Sequence, residues 1–143
     1  MYFEDFVPGK QALTPERKIT ASNLDAFLDI AGLHLPMFMS DEGAQQVGHE
    51  QRLVPGPMIL AVTMGLVKEI GWFDHVVAVI AFDELRFRRA LHPEQSVKAE
   101  VIVESTKPTQ NPERGLAVLA FKLINQNEET VLTARGKYLI QKS

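Results

Sequence analysis

The chain lacks cysteine altogether. This absence excludes thiol nucleophiles, disulfides and zinc sites built on thiolates, and no metal motif remains among the other side chains. The chain also lacks a strong excess of charge, since its formal net charge is -3 at pH 7. We therefore expect a small molecule or a protein as the partner, with no metal, no nucleic acid and no membrane surface.

Long hydrophobic runs are missing as well. The longest run, residues 53–67, contains two prolines and two glycines. It is shorter than the roughly 18 to 20 residues that span a bilayer, and it predicts a buried core segment. Residues 1–10 carry acidic side chains where a signal peptide has basic ones, so we expect a cytoplasmic protein. The length of 143 residues is typical of one domain, here 1–143.

The first half of the sequence predicts helices. Thr20 is a suitable capping residue for a helix that Gly32 ends. The apolar residues of this helix recur at helical spacing: Leu24, Phe27, Leu28 and Ala31. Ser40 followed by Asp41 and Glu42 is typical of a second helix start, with a cap and then acids in the first turn.

A third helix is predicted from the prolines at Pro55 and Pro57 to Gly71, with proline in a favoured first-turn position. This helix is apolar nearly all round. A helix without a polar face has to be covered on several sides, and a small protein achieves this by curling a sheet around it.

The rest of the chain supplies the strands of that sheet. A short strand interrupted at Pro15 is predicted before the helices, and residues 106–114 read as a long exposed loop. Residues 125–128 read as a hairpin turn. Five segments have the β-branched or alternating pattern of strands: 76–82, 85–91, 97–103, 116–124 and 130–140.

Several stretches resemble the MaoC-like dehydratases, also called (R)-specific enoyl-CoA hydratases. In that family a capped helix ends in a loop written G-D-x-N-P-L-H. An acidic helix start, a turn with Arg and a buried helix opening with Gly follow. The similar stretches here are GLHLPMF at 32–38, SDE at 40–42, RLVPG at 52–56, LRF at 85–87 and ARG at 134–136. The resemblance covers about 3–140. It implies an α+β hotdog fold, a long buried helix wrapped by a curved antiparallel sheet of about five strands.

The resemblance also implies a chemistry whose key residues have changed. Hydration of an enoyl thioester needs a base, an acid and donors for the thioester oxygen. In the family, the Asp and His of the loop handle water and proton, but Leu33 and Phe38 stand at these positions. Leu35 replaces the Asn, and only Gly32 and Pro36 are kept. We therefore expect a bound acyl-CoA or acyl-carrier thioester, no other cofactor, and loss of the usual hydration dyad.

Other residues are candidates for binding. Gly56 lies where the family holds the thioester oxygen, Pro57 removes one N–H donor there, and Met58 follows in the same turn. The alternative is that this turn is only a tight helix start. Arg86 and Arg88 are candidates for the phosphates of CoA, although an outward strand face with ordinary charges is the plainer interpretation.

The related acyl-carrier-protein dehydratases have a catalytic Glu on the corresponding helix, and Ala61 occupies that position here. Catalysis by substitutes is a further alternative, with His34 and His49 as candidates, although a lone loop histidine is more often a surface residue. Five residues fit the lining of an acyl tunnel, although such residues are more often part of a core or a dimer interface: Met37, Phe38, Met39, Met58 and Met64.

Three functions therefore stay open. The chain is an active hydratase or dehydratase that uses non-standard residues, a protein that binds an acyl thioester or hydrolyses it as a thioesterase, or a non-catalytic subunit paired with an active hotdog partner. A homodimer or a higher oligomer is expected, because hotdog sheets pair their edges and so protect exposed strands.

Overall fold

A six-stranded antiparallel sheet is the largest feature of the computed structural model, which describes all residues from Met1 to Ser143. The strands are β1 Gln11–Leu13, β2 Arg17–Lys18, β3 Val76–Phe87, β4 Ser96–Pro108, β5 Arg114–Asn125 and β6 Thr130–Gln141. Their order in the sheet is β1-β4-β5-β6-β3, and β2 also pairs with β4. The free side of β3 therefore forms one edge of the sheet.

The helices lie between β2 and β3 in the sequence. They are α1 Ala21–Ala31, α2 Pro36–Met39, α3 Asp41–Gln45 and α4 Gly56–Glu69, and a 3₁₀ helix Phe3–Asp5 precedes β1. None of these helices has the length and apolar character that crossing a membrane requires.

Alternation along β4 separates the two faces of the sheet. Its buried side chains are Val97, Ala99, Val101 and Val103, and those between them point the other way. We call the first face the inner face and the opposite one the outer face. Leu66 and Val67 of α4 are fully buried in the same core cluster as the inner face. The predicted α+β arrangement, a helix lying against an antiparallel sheet, is therefore confirmed.

The longest helix is buried on one side only. The buried positions of α4 are Met58, Ile59, Thr63, Leu66 and Val67. Pro57, Ala61 and Lys68 are exposed. The sheet therefore covers α4 along this face in the single chain, and the apolar residues elsewhere on α4 are small or partly exposed.

A buried tyrosine links α4 to β6. The Tyr138 hydroxyl donates a hydrogen bond to Sδ of Met64 over 2.9 Å. Tyr138 also stacks on Phe73, with ring centroids 4.9 Å apart. Burial raises the pKa of Tyr138, so this hydroxyl stays protonated and keeps its role as a donor.

Two predicted strands turn out to be one. The segments 76–82 and 85–91 form the continuous strand β3, which ends at Phe87. Glu84 has a positive φ of 51°, and the pairing register shifts between Asp83 and Arg86. This is a β-bulge, and its extra residue breaks the alternation that the sequence pattern relies on. Leu91 lies beyond the strand and is buried, with its carbonyl accepting from the Val54 N–H over 2.8 Å.

The other elements follow the sequence closely. The Thr20 hydroxyl accepts from the Asn23 N–H and caps α1, and Gly32 ends that helix with a φ of 69°. Ser40 caps α3 as predicted. Pro15 separates β1 from β2, which accounts for the sixth strand. The predicted loop 106–114 is shorter than expected, because β4 continues to Pro108.

Candidate functional site

The loop after α1 carries the residues that the family resemblance singles out. The Leu33 N–H donates to the Leu28 carbonyl over 3.1 Å, and the Phe38 N–H donates to the Leu35 carbonyl over 2.9 Å. Pro36 opens the short helix α2, which the sequence did not predict. A proline in the first turn needs no N–H partner and has the φ of a helix, so the loop turns without a polar cap.

Leu33 and Phe38 are partly buried and pack against the hydrophobic core. Leu35 is 46% exposed. None of the three side chains can give or take a proton. Leu33 and Phe38 therefore help to cover the core, which favours a dry, apolar environment beside the loop.

Arg52 ties this loop to the start of α4. Its Nε donates to the Phe38 carbonyl over 2.6 Å, and its guanidinium forms an ion pair with Asp25 of α1. Its backbone N–H donates to the Asp41 carboxylate over 2.9 Å. The Arg52 side chain is only 13% exposed. One residue therefore connects α1, α2, α3 and the segment before α4, and Asp41 is occupied as a backbone acceptor.

The turn between α2 and α3 depends on a close approach. A Cβ at Gly43 would collide with the Pro36 carbonyl, so only glycine fits there. The Leu53 N–H donates to the Met37 carbonyl over 3.0 Å. These contacts hold α2 against the segment that leads to α4.

His92 lies beside this cluster, and sequence reasoning missed it. Its Nδ1 is 2.9 Å from the Arg52 carbonyl. A carbonyl can only accept, so Nδ1 carries the proton and Nε2 of the neutral ring is left as an acceptor. His92 follows Leu91, whose pairing with Val54 brings it here. No local motif marks it, because the contact depends on a long-range pairing.

The first turn of α4 has a single free donor. The Met58 and Ile59 N–H groups both donate to the Pro55 carbonyl, over 3.0 and 3.1 Å. Pro57 has no N–H. The Gly56 N–H has no hydrogen-bond acceptor within the chain, so it alone is left for a ligand.

Phe87 lies directly over Gly56. A ring carbon of Phe87 is 2.8 Å from the position that a Cβ on Gly56 would take. The glycine is therefore needed for the close approach of this ring. Contact with Phe87 is a further role for Gly56, beside the expected thioester contact and the tight helix start.

The two loop histidines lie on the surface. His34 Nε2 is 2.9 Å from the Asp29 carboxylate in an exposed pair. His49 is exposed, and its side chain has no hydrogen-bond partner. Neither imidazole forms a hydrogen bond with the start of α4.

Arg86 and Arg88 lie on the other side of the sheet from Gly56. Arg86 is paired in register with Thr133, and Arg88 Nε donates to the Thr133 hydroxyl over 3.2 Å. Both line a groove on the outer face, whereas Phe87 between them reaches α4. The predicted binding residues therefore fall into two groups, with Gly56, Pro57 and Met58 at the helix and the arginines on the outer face.

We expect Gly56→Ala to lower the free energy of unfolding by about 1 kcal/mol, because the added methyl pushes the Phe87 ring off the helix. In a Phe87→Ala background the same change should cost almost nothing. Chemical denaturation of the four proteins of this double-mutant cycle measures the coupling. Gly65→Ala on the same helix is the control, since its Cβ meets Arg17 only at 3.4 Å. An equal cost of Gly56→Ala in both backgrounds would contradict the proposed contact.

Arg52→Ala should lower the free energy of unfolding by about 2–4 kcal/mol, because it removes a charged donor from the Phe38 carbonyl and leaves groups unpaired. Arg52→Lys should recover part of this loss. Arg89→Ala removes an exposed arginine paired with Glu129 at 3.0 Å and should change stability by no more than about 0.5 kcal/mol. Equal losses in Arg52→Ala and Arg89→Ala, measured by urea denaturation, would refute the connecting role of Arg52.

Comparison with known proteins relates this chain to the protein MaoC. The protein MaoC of Klebsiella aerogenes is 27% identical over 100 residues, which are 70% of this chain and 30% of that protein. The chain thus spans less than a third of the length of this relative. No family model matches the chain.

Solved structures share the fold over the whole chain. The MaoC-like dehydratase from Rhodospirillum rubrum superimposes with a TM-score of 0.88 at 18% identity, over 100% of this chain and 98% of that one. A Mycobacterium tuberculosis protein with a double hotdog fold gives a TM-score of 0.86 at 23% identity, over 100% of this chain and 44% of that one. This chain is therefore similar in sequence to the protein MaoC and has the hotdog fold of the MaoC-like dehydratase structure.

Proposed function

We propose that this chain binds an acyl thioester, such as acyl-CoA, and does not hydrate it by the route of the hydratases it resembles. One observation carries the proposal. Leu33 and Phe38, at the acid and base positions, are packed on the hydrophobic core. Because both side chains are packed on the core, a small movement of the loop would not bring a proton-transferring side chain to either position.

The environment of the loop suits the acyl part of such a ligand. Leu35 and Met39 are about half exposed, and the partly buried Phe38 lies between them in sequence. Covering such partly accessible apolar side chains with an acyl chain removes apolar surface from water, which favours binding. They offer no polar group to activate a water molecule, so they favour binding over hydration.

The start of α4 supplies one donor for the thioester carbonyl. The Gly56 N–H is free, while Pro57 has none. A ground-state carbonyl needs only one such donor to be oriented. In a hydration transition state negative charge develops on that oxygen, and several donors then stabilise it. A single donor therefore supports binding and gives little rate acceleration.

Crotonyl-CoA should raise the melting temperature of the protein in proportion to ln(1 + [L]/Kd), while the enoyl absorbance of the ligand stays constant. His34→Ala and His49→Ala should bind like the original chain, because both side chains lie on the surface. No thermal shift at millimolar crotonyl-CoA would refute binding. Hydration that disappears in either histidine variant would establish the alternative, an active enzyme with substitute residues.

A second copy of the chain is the partner that we propose for the edge strand β3. Its side without a strand partner carries unpaired backbone groups, and several of its apolar side chains are exposed: Val77 44%, Val79 50%, Ile80 55% and Phe87 47%. Such an edge aggregates unless it is paired or covered. A related active hotdog subunit would use the same edge, which keeps the non-catalytic subunit as the second candidate.

Size-exclusion chromatography with light scattering should give a dimer at micromolar protein. Val79→Glu combined with Ile80→Glu should convert it to a monomer, because it places charge in an apolar contact. Ile30→Glu is the matched control, since Ile30 is 87% exposed on α1, away from β3. A monomeric original chain would overturn the homodimer. Heterodimer formation with a hotdog protein that keeps the dyad would then support the second candidate.

A further inference from the structure

A groove of about 850 Å³ crosses the outer face of the sheet. All of β1, β3, β4, β5 and β6 contribute to its walls. The volume falls within the range of about 300–1,000 Å³ that is typical of small-molecule sites. The site proposed for the acyl thioester lies against the inner face, so the groove is a separate feature of the molecule.

Paired registers show how the groove is built across the strands. One row runs through Leu13, Glu100, Lys122, Thr133 and Arg86. The neighbouring row contains Ile102, Ala120 and Arg135 in the same order of strands. Leu13 is 54% exposed and Ile102 is 37% exposed. The groove therefore has an apolar end near β1 and a basic end at β3.

The acidic side chains of the groove are already paired. Arg135 lies 3.1 Å from Glu84 and 2.9 Å from Glu104. Lys122 lies 3.8 Å from Glu100. These three carboxylates thus face two cations, and none of the three forms an ion pair with Arg86 or Arg88.

Arg86 and Arg88, by contrast, have no acidic partner within 4.0 Å. Arg86 donates only to the Leu85 carbonyl, and Arg88 donates to the Thr133 hydroxyl. Arg88 directly follows the end of β3 at Phe87, and two residues of extended chain separate its Cα from that of Arg86 by about 7 Å. Two unpaired guanidinium groups and a hydroxyl therefore meet at one end of the groove.

We propose that this groove binds a phosphate monoester with an apolar body. A phosphate monoester carries about -1.5 to -2 charges at pH 7, which matches the two unpaired guanidinium groups, whereas a carboxylate neutralises only one. One guanidinium group can donate to two phosphate oxygens at once, and the Thr133 hydroxyl is a further donor. The apolar body lies toward Ile102 and Leu13.

Isothermal titration with phenyl phosphate, inorganic phosphate and benzoate tests the proposal on the intact chain. Phenyl phosphate should bind tightest, because benzoate has the same ring with less charge and inorganic phosphate lacks the ring. Arg86→Gln combined with Arg88→Gln should weaken phenyl phosphate binding by at least about tenfold. Arg89→Gln, which changes the next arginine of the RFRR run outside the groove, should leave the affinity unchanged.

Several results would overturn the proposal. One is the absence of saturable binding at millimolar phenyl phosphate. The others are an affinity for benzoate equal to that for phenyl phosphate, and a loss of affinity in Arg89→Gln equal to that in the double variant. Circular dichroism of the double variant establishes that it is folded, and both arginines are exposed, so a loss of affinity reports the site.

Phosphate monoesters reach such a groove from two sources, as free compounds or as the 3′-phosphate of CoA. If CoA is the source, adenosine 3′,5′-bisphosphate and crotonyl-CoA should both lose affinity in the double variant. If free compounds are the source, crotonyl-CoA binding should be unchanged while phenyl phosphate binding is lost. Because phenyl phosphate has no thioester, failure here is distinct from failure of acyl thioester binding at α4.

Discussion

Burial of one face of α4 against the inner face of the sheet is the interaction on which the rest of the structure depends. Leu66 and Val67 are fully buried there, and each such side chain contributes about 1.5–3 kcal/mol relative to exposure. Once α4 is held in this way, its first turn, with the free Gly56 N–H, has a defined position beside the sheet. The loop after α1 then has to pack next to that turn.

Arg52 converts this packing into a defined loop. Its contacts with the Phe38 carbonyl, Asp25 and Asp41 hold the backbone path that Gly32 and Pro36 also favour. The path of the loop therefore does not depend on the identity of the side chains at Leu33 and Phe38. This explains how apolar residues can occupy those positions without loss of the fold. The frame of the site and its chemistry are physically separable, because backbone acceptors and one arginine hold the frame.

The sheet separates two kinds of surface. Its inner face meets α4 and is apolar, while its outer face carries charged pairs and the two unpaired arginines. Alternation along a strand forces this division, since consecutive side chains point to opposite faces. Phe87 therefore reaches Gly56 while its neighbours Arg86 and Arg88 cannot. The RFRR run is continuous in sequence, but its side chains lie on opposite faces of the sheet. The two arginines and Gly56 therefore do not form one ligand site.

The sequence by itself determined the helices α1, α3 and α4, four long strand segments and the apolar character of Leu33 and Phe38. Capping residues, glycine ends and apolar periodicity are local signals, and they are sufficient for such features. The tertiary structure decided the rest. A bulge at Glu84 lies within one continuous strand, where the sequence pattern predicted two. The pairing of Leu91 with Val54 places His92 beside Arg52, and Phe87 lies on Gly56. Each of these depends on contacts between residues far apart in the chain, which no local pattern encodes.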